Sequence, residues 1–204
     1  MIGGICMNQT TDRQVVVFLA EGFETIEALT VADLLTRAGI PHTLVSITDD
    51  TRVTSSHGVE VVADGVIKDL DFSQYDMLVL PGGIPGTPNL EACPLLMQQV
   101  KAFAAGGKAV AAICAAPSIL AHLGLLQDQR AACNPCVEED LIKGGAVLVH
   151  EPAVLCGNLI TSRGMGTATP FGLAIVRYFL GEETAEKLRR KVLYQDINSG
   201  DLHR

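Results

Sequence analysis

Short apolar runs alternate with helix-periodic segments along this chain, and that alternation leaves few folds open. Val15–Ala20 is a continuous apolar strand, and Glu24–Ala38 follows with helical periodicity closed by Gly39. His42–Ile47, Asp76–Leu80 and Ala109–Ile113 read as further strands, with a hairpin excursion over Val53–Asp64. A loop rich in proline and glycine (Pro81, Gly82, Gly83, Pro85, Gly86, Pro88) precedes a helix over Cys93–Ala105 that ends at Gly106 and Gly107. Another helix is expected near 116–123 and a less regular stretch over Leu125–Glu139. Strands at Gly145–Val149 and Val154–Thr161, the latter turning at Gly157 and Asn158, lead to a final helical region over Thr169–Tyr194. Such alternation implies a mostly parallel sheet covered by helices on both faces, the α/β class. No internal repeat or linker divides it.

At 204 residues, with 48% hydrophobic and 19% charged residues, the chain suits one domain with a sizeable core. We expect that domain over residues 14–195, flanked by a flexible N-terminal tail over 1–13 and a C-terminal tail over 196–204. The net charge of −8 and the lack of a basic run argue against an electrostatic nucleic-acid surface. Met1–Met7 has no basic start, and no apolar stretch is long enough to cross a membrane, so a cytoplasmic protein is expected. Six scattered cysteines (Cys6, Cys93, Cys114, Cys133, Cys136, Cys156) do not form a disulfide scaffold in a chain of this length.

One cysteine is singled out by its context. Cys114 follows the apolar strand Ala109–Ile113, and Pro117 fits the first turn of the next helix, so the thiol sits at a tight strand-to-helix turn. A helix N-terminus there favours the thiolate. The competing description is a small hydrophobe buried in a core strand. A second strand end, Asp76–Leu80 followed by Pro81, Gly82 and Gly83, presents backbone that a ligand can approach closely. Ligands of open α/β sheets bind at the carboxyl ends of the strands, so both features point to one crevice.

Five segments in order, Leu19–Glu27, Arg37–Gly39, Val79–Gly83, Ala111–Pro117 and Leu159–Thr167, make the chain resemble the DJ-one/ThiJ/PfpI superfamily. The resemblance covers residues 14–195 and is greatest to the branch containing the parkinsonism-associated protein deglycase and its bacterial counterparts. It implies a flavodoxin-like three-layer sandwich with a nucleophile elbow, a homodimer, a reactive cysteine at Cys114 and a glutamate, Glu27, touching it. A carboxyl held near a thiolate is pushed toward its neutral form and can donate to sulfur. Without the resemblance, Glu27 reads as a solvated acid at a helix start, as Glu21 and Glu24 do. Gly82, Gly83 and the Ala115 amide match backbone groups that line an oxyanion-type pocket. Arg37 and Asn134 match possible substrate contacts, although Arg37 by itself reads as an exposed helix arginine.

Departures from the pattern bear on the activity. Peptidase and glyoxalase relatives carry histidine after the nucleophile, where this chain has Ala115, and Asn134 stands where the deglycase branch brings a histidine to the site. Asparagine orients a substrate but moves no proton near neutral pH. The five histidines, His42, His57, His122, His150 and His203, read as structural or exposed. Cys133 and Cys136 form a CxxC, read first as a plain loop and, beyond that, as a source of a partner thiol for oxidised Cys114; structural zinc lacks the other ligands it needs.

The leading expectation is an enzyme on methylglyoxal, glyoxal or their adducts with amines and thiols, of glyoxalase or deglycase type, needing no cofactor and no metal. The alternative is a redox-sensing stress protein or chaperone acting through oxidation of Cys114. Amide hydrolysis by a peptidase or amidotransferase ranks last, because no general acid is evident for the leaving amine.

Overall fold

A computed structural model describes residues 11–194. Residues 1–10 and 195–204, with Cys6, His203 and most of the two expected tails, lie outside the described residues.

The strands are β1 (Val15–Leu19), β2 (His42–Ser46), β3 (Arg52–Thr54), β4 (Glu60–Val62), β5 (Gly65–Val66), β6 (Met77–Leu80), β7 (Ala109–Ile113), β8 (Arg130–Ala131), β9 (Val147–Leu148), β10 (Ala153–Cys156) and β11 (Leu159–Ser162). The helices are α1 (Thr25–Ala38), α2 (Gly86–Glu91), α3 (Pro94–Ala105), α4 (Pro117–His122), α5 (Glu138–Lys143) and α6 (Ala168–Lys191). Seven strands form the main sheet in the order β10-β11-β7-β6-β1-β2-β5, all parallel except β10, which pairs antiparallel with β11. β3 and β4 make the expected hairpin, and β8 and β9 a separate parallel pair. This is the flavodoxin-like three-layer arrangement.

Period-two alternation explains the layers. Val15, Val17 and Leu19 of β1 face a core built with α1 and α6, while Val16 and Phe18 face a second core with α3 and α4. Every residue of β1, β6 and β7 is buried, as expected for parallel strands covered on both sides. α1 ends at Gly39 in the left-handed conformation, φ 72°, and Pro94 and Pro117 stand in the first turns of α3 and α4.

Two expectations about elements are corrected. The loop after β6 contains a helix, α2, because Pro88 falls in its first turn, where a missing N–H breaks no helical bond. The final helical region is not continuous: Gly181 has φ 80° and ψ 170°, which breaks the helical path within α6. None of the described helices is long and apolar enough to cross a membrane.

The chain runs outward in one direction from β1 to β2 and in the other through β6, β7 and β11. The reversal falls between β1 and β6, so the loops leaving these strands part there and open a crevice.

Candidate active site

Cys114 is the residue that leaves β7. Its φ of 66° is unusual for a residue with a side chain, and backbone bonds on both sides hold it there. Its N–H donates to Ser162 O at 3.0 Å, and its carbonyl accepts from Asn134 N–H at 2.8 Å. The sheet on one side and the 131–134 segment on the other thus fix the elbow.

Glu27, in the first turn of α1, is fully buried. Oε2 accepts from Gly82 N–H at 2.9 Å. Oε1 is buried with no fixed donor in hydrogen-bonding geometry; the Cys114 thiol is the group that interacts with this carboxyl, and its rotatable S–H supplies a donor. Gly82 has to be glycine, because a Cβ there would lie 2.5 Å from Cys114 Cβ and 2.7 Å from Glu27 Oε2. Glu24 N–H donates in turn to Gly82 O at 2.9 Å, clamping the start of α1 to the loop after β6.

Burial raises Glu27 to about 7, partly offset by hydrogen bonds from Cys114 and Gly82, while the Glu24 charge adds to the rise. Burial, then the charge of Glu27 and the hydrogen bond to it, push the Cys114 thiol up to about 12, with the Ala115 N–H acting the other way. These shifts belong to one coupled pair. It gives up its first proton near neutrality and holds the second strongly, and either oxygen or sulfur can carry the single negative charge. Burial and the adjacent carboxylate thus act against the thiolate that the start of α4, a helix of only six residues, favours.

The other expected site residues divide. The Gly82 amide is taken by Glu27, so it is not a free oxyanion donor. Gly83, at φ 100°, is packed so tightly that a Cβ would lie 2.4 Å from Gly22 O, and its N–H has no acceptor among the described residues. The Ala115 N–H faces the sulfur. Asn134 Nδ2 donates to Cys114 Sγ at 3.6 Å, a long contact even for sulfur, while Oδ1 accepts from Cys136 N–H at 3.1 Å. Arg37 is not brought to the thiol. It lies in the last turn of α1, about 15 Å along the axis from Glu27 at 1.5 Å per residue, paired with Asp33 at 2.6 Å. It lines an open groove of about 670 Å³ between α1 and the two ends of α6, shared with Leu29, Thr169 and Lys191.

Two features of the site were not read from the sequence. Gly164 closes over the thiol: an added Cβ would lie 3.7 Å from Cys114 Sγ and 3.8 Å from Glu27 Oε1. Its turn is held by Thr167 Oγ1, which accepts from both Arg163 and Gly164 N–H. The signal was the glycine-rich run after strand β11, whose proximity to Cys114 follows only from the pairing of β11 with β7. Ser56 and His57, at the tip of the β3–β4 hairpin, reach Glu24, with Ser56 Oγ donating to Glu24 Oε2 at 3.2 Å and His57 Nδ1 3.6 Å from the same oxygen. Among the described residues no group of three or more metal-binding side chains is found.

Comparison with known proteins adds to this geometry. The sequence profile of the DJ-1/PfpI family matches residues 13–178. "Protein DJ-1 homolog B" of Arabidopsis thaliana is 34% identical over 193 residues, 94% of this chain and 44% of the plant protein, so the chain spans less than half the length of that relative. A Caenorhabditis elegans protein named "Glutathione-independent glyoxalase DJR-1.2" is 32% identical over 82% of this chain and 89% of its own. The crystal structure of Drosophila melanogaster DJ-1beta superposes with a TM-score of 0.85 at 32% identity, covering 91% of this chain and all of that one.

Proposed function

The chain belongs to the DJ-1/PfpI family, and from that membership we propose that it is a cysteine-dependent, cofactor-independent enzyme on reactive dicarbonyls such as methylglyoxal or glyoxal, or on their early adducts with amines and thiols. The observation that carries the proposal is the buried Glu27, raised to about 7, with an unpaired oxygen on the side of the Cys114 thiol. A group titrating near neutrality next to a nucleophile is suited to take and return its proton.

The thiol of Cys114 adds to the aldehyde carbon. A carbon–sulfur bond forms, the carbonyl electron pair moves to oxygen, and the thiol proton passes to Glu27 Oε1 and on to that oxygen. Gly83 and Ala115 N–H are the amide donors for the developing negative charge, since Gly82 is engaged by Glu27. Glu27 then removes the hydrogen of the former aldehyde carbon as a proton and returns it to the neighbouring carbonyl carbon, while the hydroxyl proton passes from the first oxygen to the second, leaving a thioester of a hydroxy acid. Water cleaves the thioester, giving the hydroxy acid and free Cys114. One water is added overall and no redox partner is consumed. Asn134, in contact with Sγ, orients substrate oxygen without moving protons, so Glu27 and water do the acid and base work.

A homodimer and a protective role under carbonyl stress are part of the same reading. Ile26 of α1 and Ile84 of the loop after β6 are exposed apolar residues on segments that build the site, which supports the pairing of two copies. The decisive experiment measures lactate formed from methylglyoxal, without glutathione or added metal, by the protein and its Cys114→Ser variant. Turnover that vanishes in a folded variant is expected. Equal turnover in both would overturn the mechanism.

A further inference from the structure

The 133–136 segment carries a second thiol whose position the dicarbonyl chemistry does not use. Of its two cysteines, Cys133 is buried in the core shared with α3 and α4, whereas Cys114 packs against the core of α1 and α6 on the opposite face of the sheet. Burial raises the Cys133 thiol to about 12, helped by the Glu138 charge. Cys133 is therefore poorly placed to meet Cys114. Cys136 is exposed, and it stands on a single three-residue 3-10 turn, Pro135–Val137.

One side chain links this turn to the elbow. The Asn134 carboxamide touches Cys114 Sγ through Nδ2 at 3.6 Å and caps the turn by accepting from Cys136 N–H through Oδ1 at 3.1 Å. The Asn134 backbone is bonded to the Cys114 carbonyl at 2.8 Å. A single carboxamide thus separates the sulfur of one cysteine from the backbone of the other. Charge on Cys136 would also raise Cys114. The cap and one turn of 3-10 helix hold the Cys136 backbone in place, and a short exposed turn of this kind opens readily.

From this arrangement we propose that Cys136 is a resolving thiol for Cys114, so that a hydroperoxide converts the pair to a reversible intramolecular disulfide. The Cys114 thiolate, its proton held on Glu27, attacks one peroxide oxygen. The oxygen–oxygen bond breaks, a sulfenic acid forms, and the other oxygen leaves as water or alcohol after taking a proton. Cys136, as thiolate, attacks the Cys114 sulfur; the sulfur–oxygen bond breaks and hydroxide leaves with a proton as water. Two thiols are oxidised by two electrons and one peroxide is reduced. Closing the bond requires the 3-10 turn to swing toward the elbow until the cysteine Cα atoms are within about 7 Å, with Asn134 leaving the sulfur. The disulfide silences Cys114 and shields it from irreversible oxidation.

The inference shares with the proposed function only the reactivity of Cys114, and its readout is independent of dicarbonyl turnover. The protein and its Cys136→Ser and Cys133→Ser variants are treated with two equivalents of hydrogen peroxide, enough for a sulfinate as well as a disulfide, then alkylated, digested without reductant and mapped by mass spectrometry. The unmodified sequence and Cys133→Ser should yield a linked peptide pair joining Cys114 to Cys136 within one chain, reversed by dithiothreitol. Cys136→Ser should instead accumulate Cys114 sulfinate that dithiothreitol does not reverse. A link between Cys133 and Cys136, a link between chains, or Cys114 sulfinate with Cys136 fully alkylated in the unmodified sequence would each overturn the proposal.

Discussion

Replacing Glu27 with glutamine should make the protein more stable at alkaline pH while abolishing its activity. Glutamine keeps the shape and can still accept from Gly82 N–H, the 2.9 Å bond that Oε2 now makes. What it removes is the cost of a buried charge. Glu27 is raised from 4.5 to about 7, so the folded protein holds this proton more tightly than the unfolded chain does. Its contribution is therefore fully favourable below pH 4.5 and is lost as pH rises through about 7. Each tenfold gain in proton affinity is worth about 1.4 kcal/mol, so the loss amounts to about 3 kcal/mol, of which about 2 to 3 kcal/mol falls between about pH 5 and pH 8. Titrations other than those of Glu27 and its coupled partner Cys114 are common to both proteins and cancel in the comparison. Urea unfolding at pH 5 and pH 8 measures it: the stability difference between Glu27→Gln and the parent should grow in favour of the variant by that amount. Parallel changes in the two proteins would refute the buried, raised carboxyl on which the mechanism depends.

Gly82→Ala should be destabilised by about 1 to 3 kcal/mol, as overpacking costs elsewhere, and should lose turnover, because the new methyl falls against both Cys114 Cβ and Glu27 Oε2; thermal unfolding and lactate assays report the two effects. Arg37→Ala should leave kcat/KM for methylglyoxal unchanged, since the guanidinium is engaged by Asp33 at the far end of α1; a clear fall would place Arg37 in the reaction after all.

The sheet was legible because its signal is local. Val15–Leu19, Met77–Leu80 and Ala109–Ile113 are apolar throughout, and a parallel strand covered on both faces requires that composition. The elbow was legible for the same reason, since Ile113, Cys114 and Pro117 state strand, turn and helix within five residues. What the site does with Cys114 was not local. The amide of Gly82 is consumed by a carboxylate 55 residues away, and Gly164 reaches the thiol only because β11 pairs with β7. Arg37 shows the converse: a residue that matches a motif on the same helix as Glu27 can still be about two to three turns removed along the axis. A thiolate favoured by a helix end was a local inference, opposed by burial and a neighbouring carboxyl that no single segment contains.

Asn134 decides the form of the pH profile. A histidine against Sγ would add a second titration near about 6.5 to the site, but asparagine adds none, so the coupled Glu27 and Cys114 pair alone governs proton transfer at the sulfur. Its first proton leaves at about 7 and its second only at about 12. The logarithm of kcat/KM for methylglyoxal should therefore rise with pH to an apparent value of about 7 and stay level through about pH 9, as a single ascending limb belonging to the pair rather than to either residue. The same profile for Asn134→His should gain a further inflection from the imidazole. A descending limb below about pH 9 in the unmodified sequence would mean that another acid donates a proton in the rate-determining step, and Glu27 would no longer suffice as the only titrating partner of Cys114.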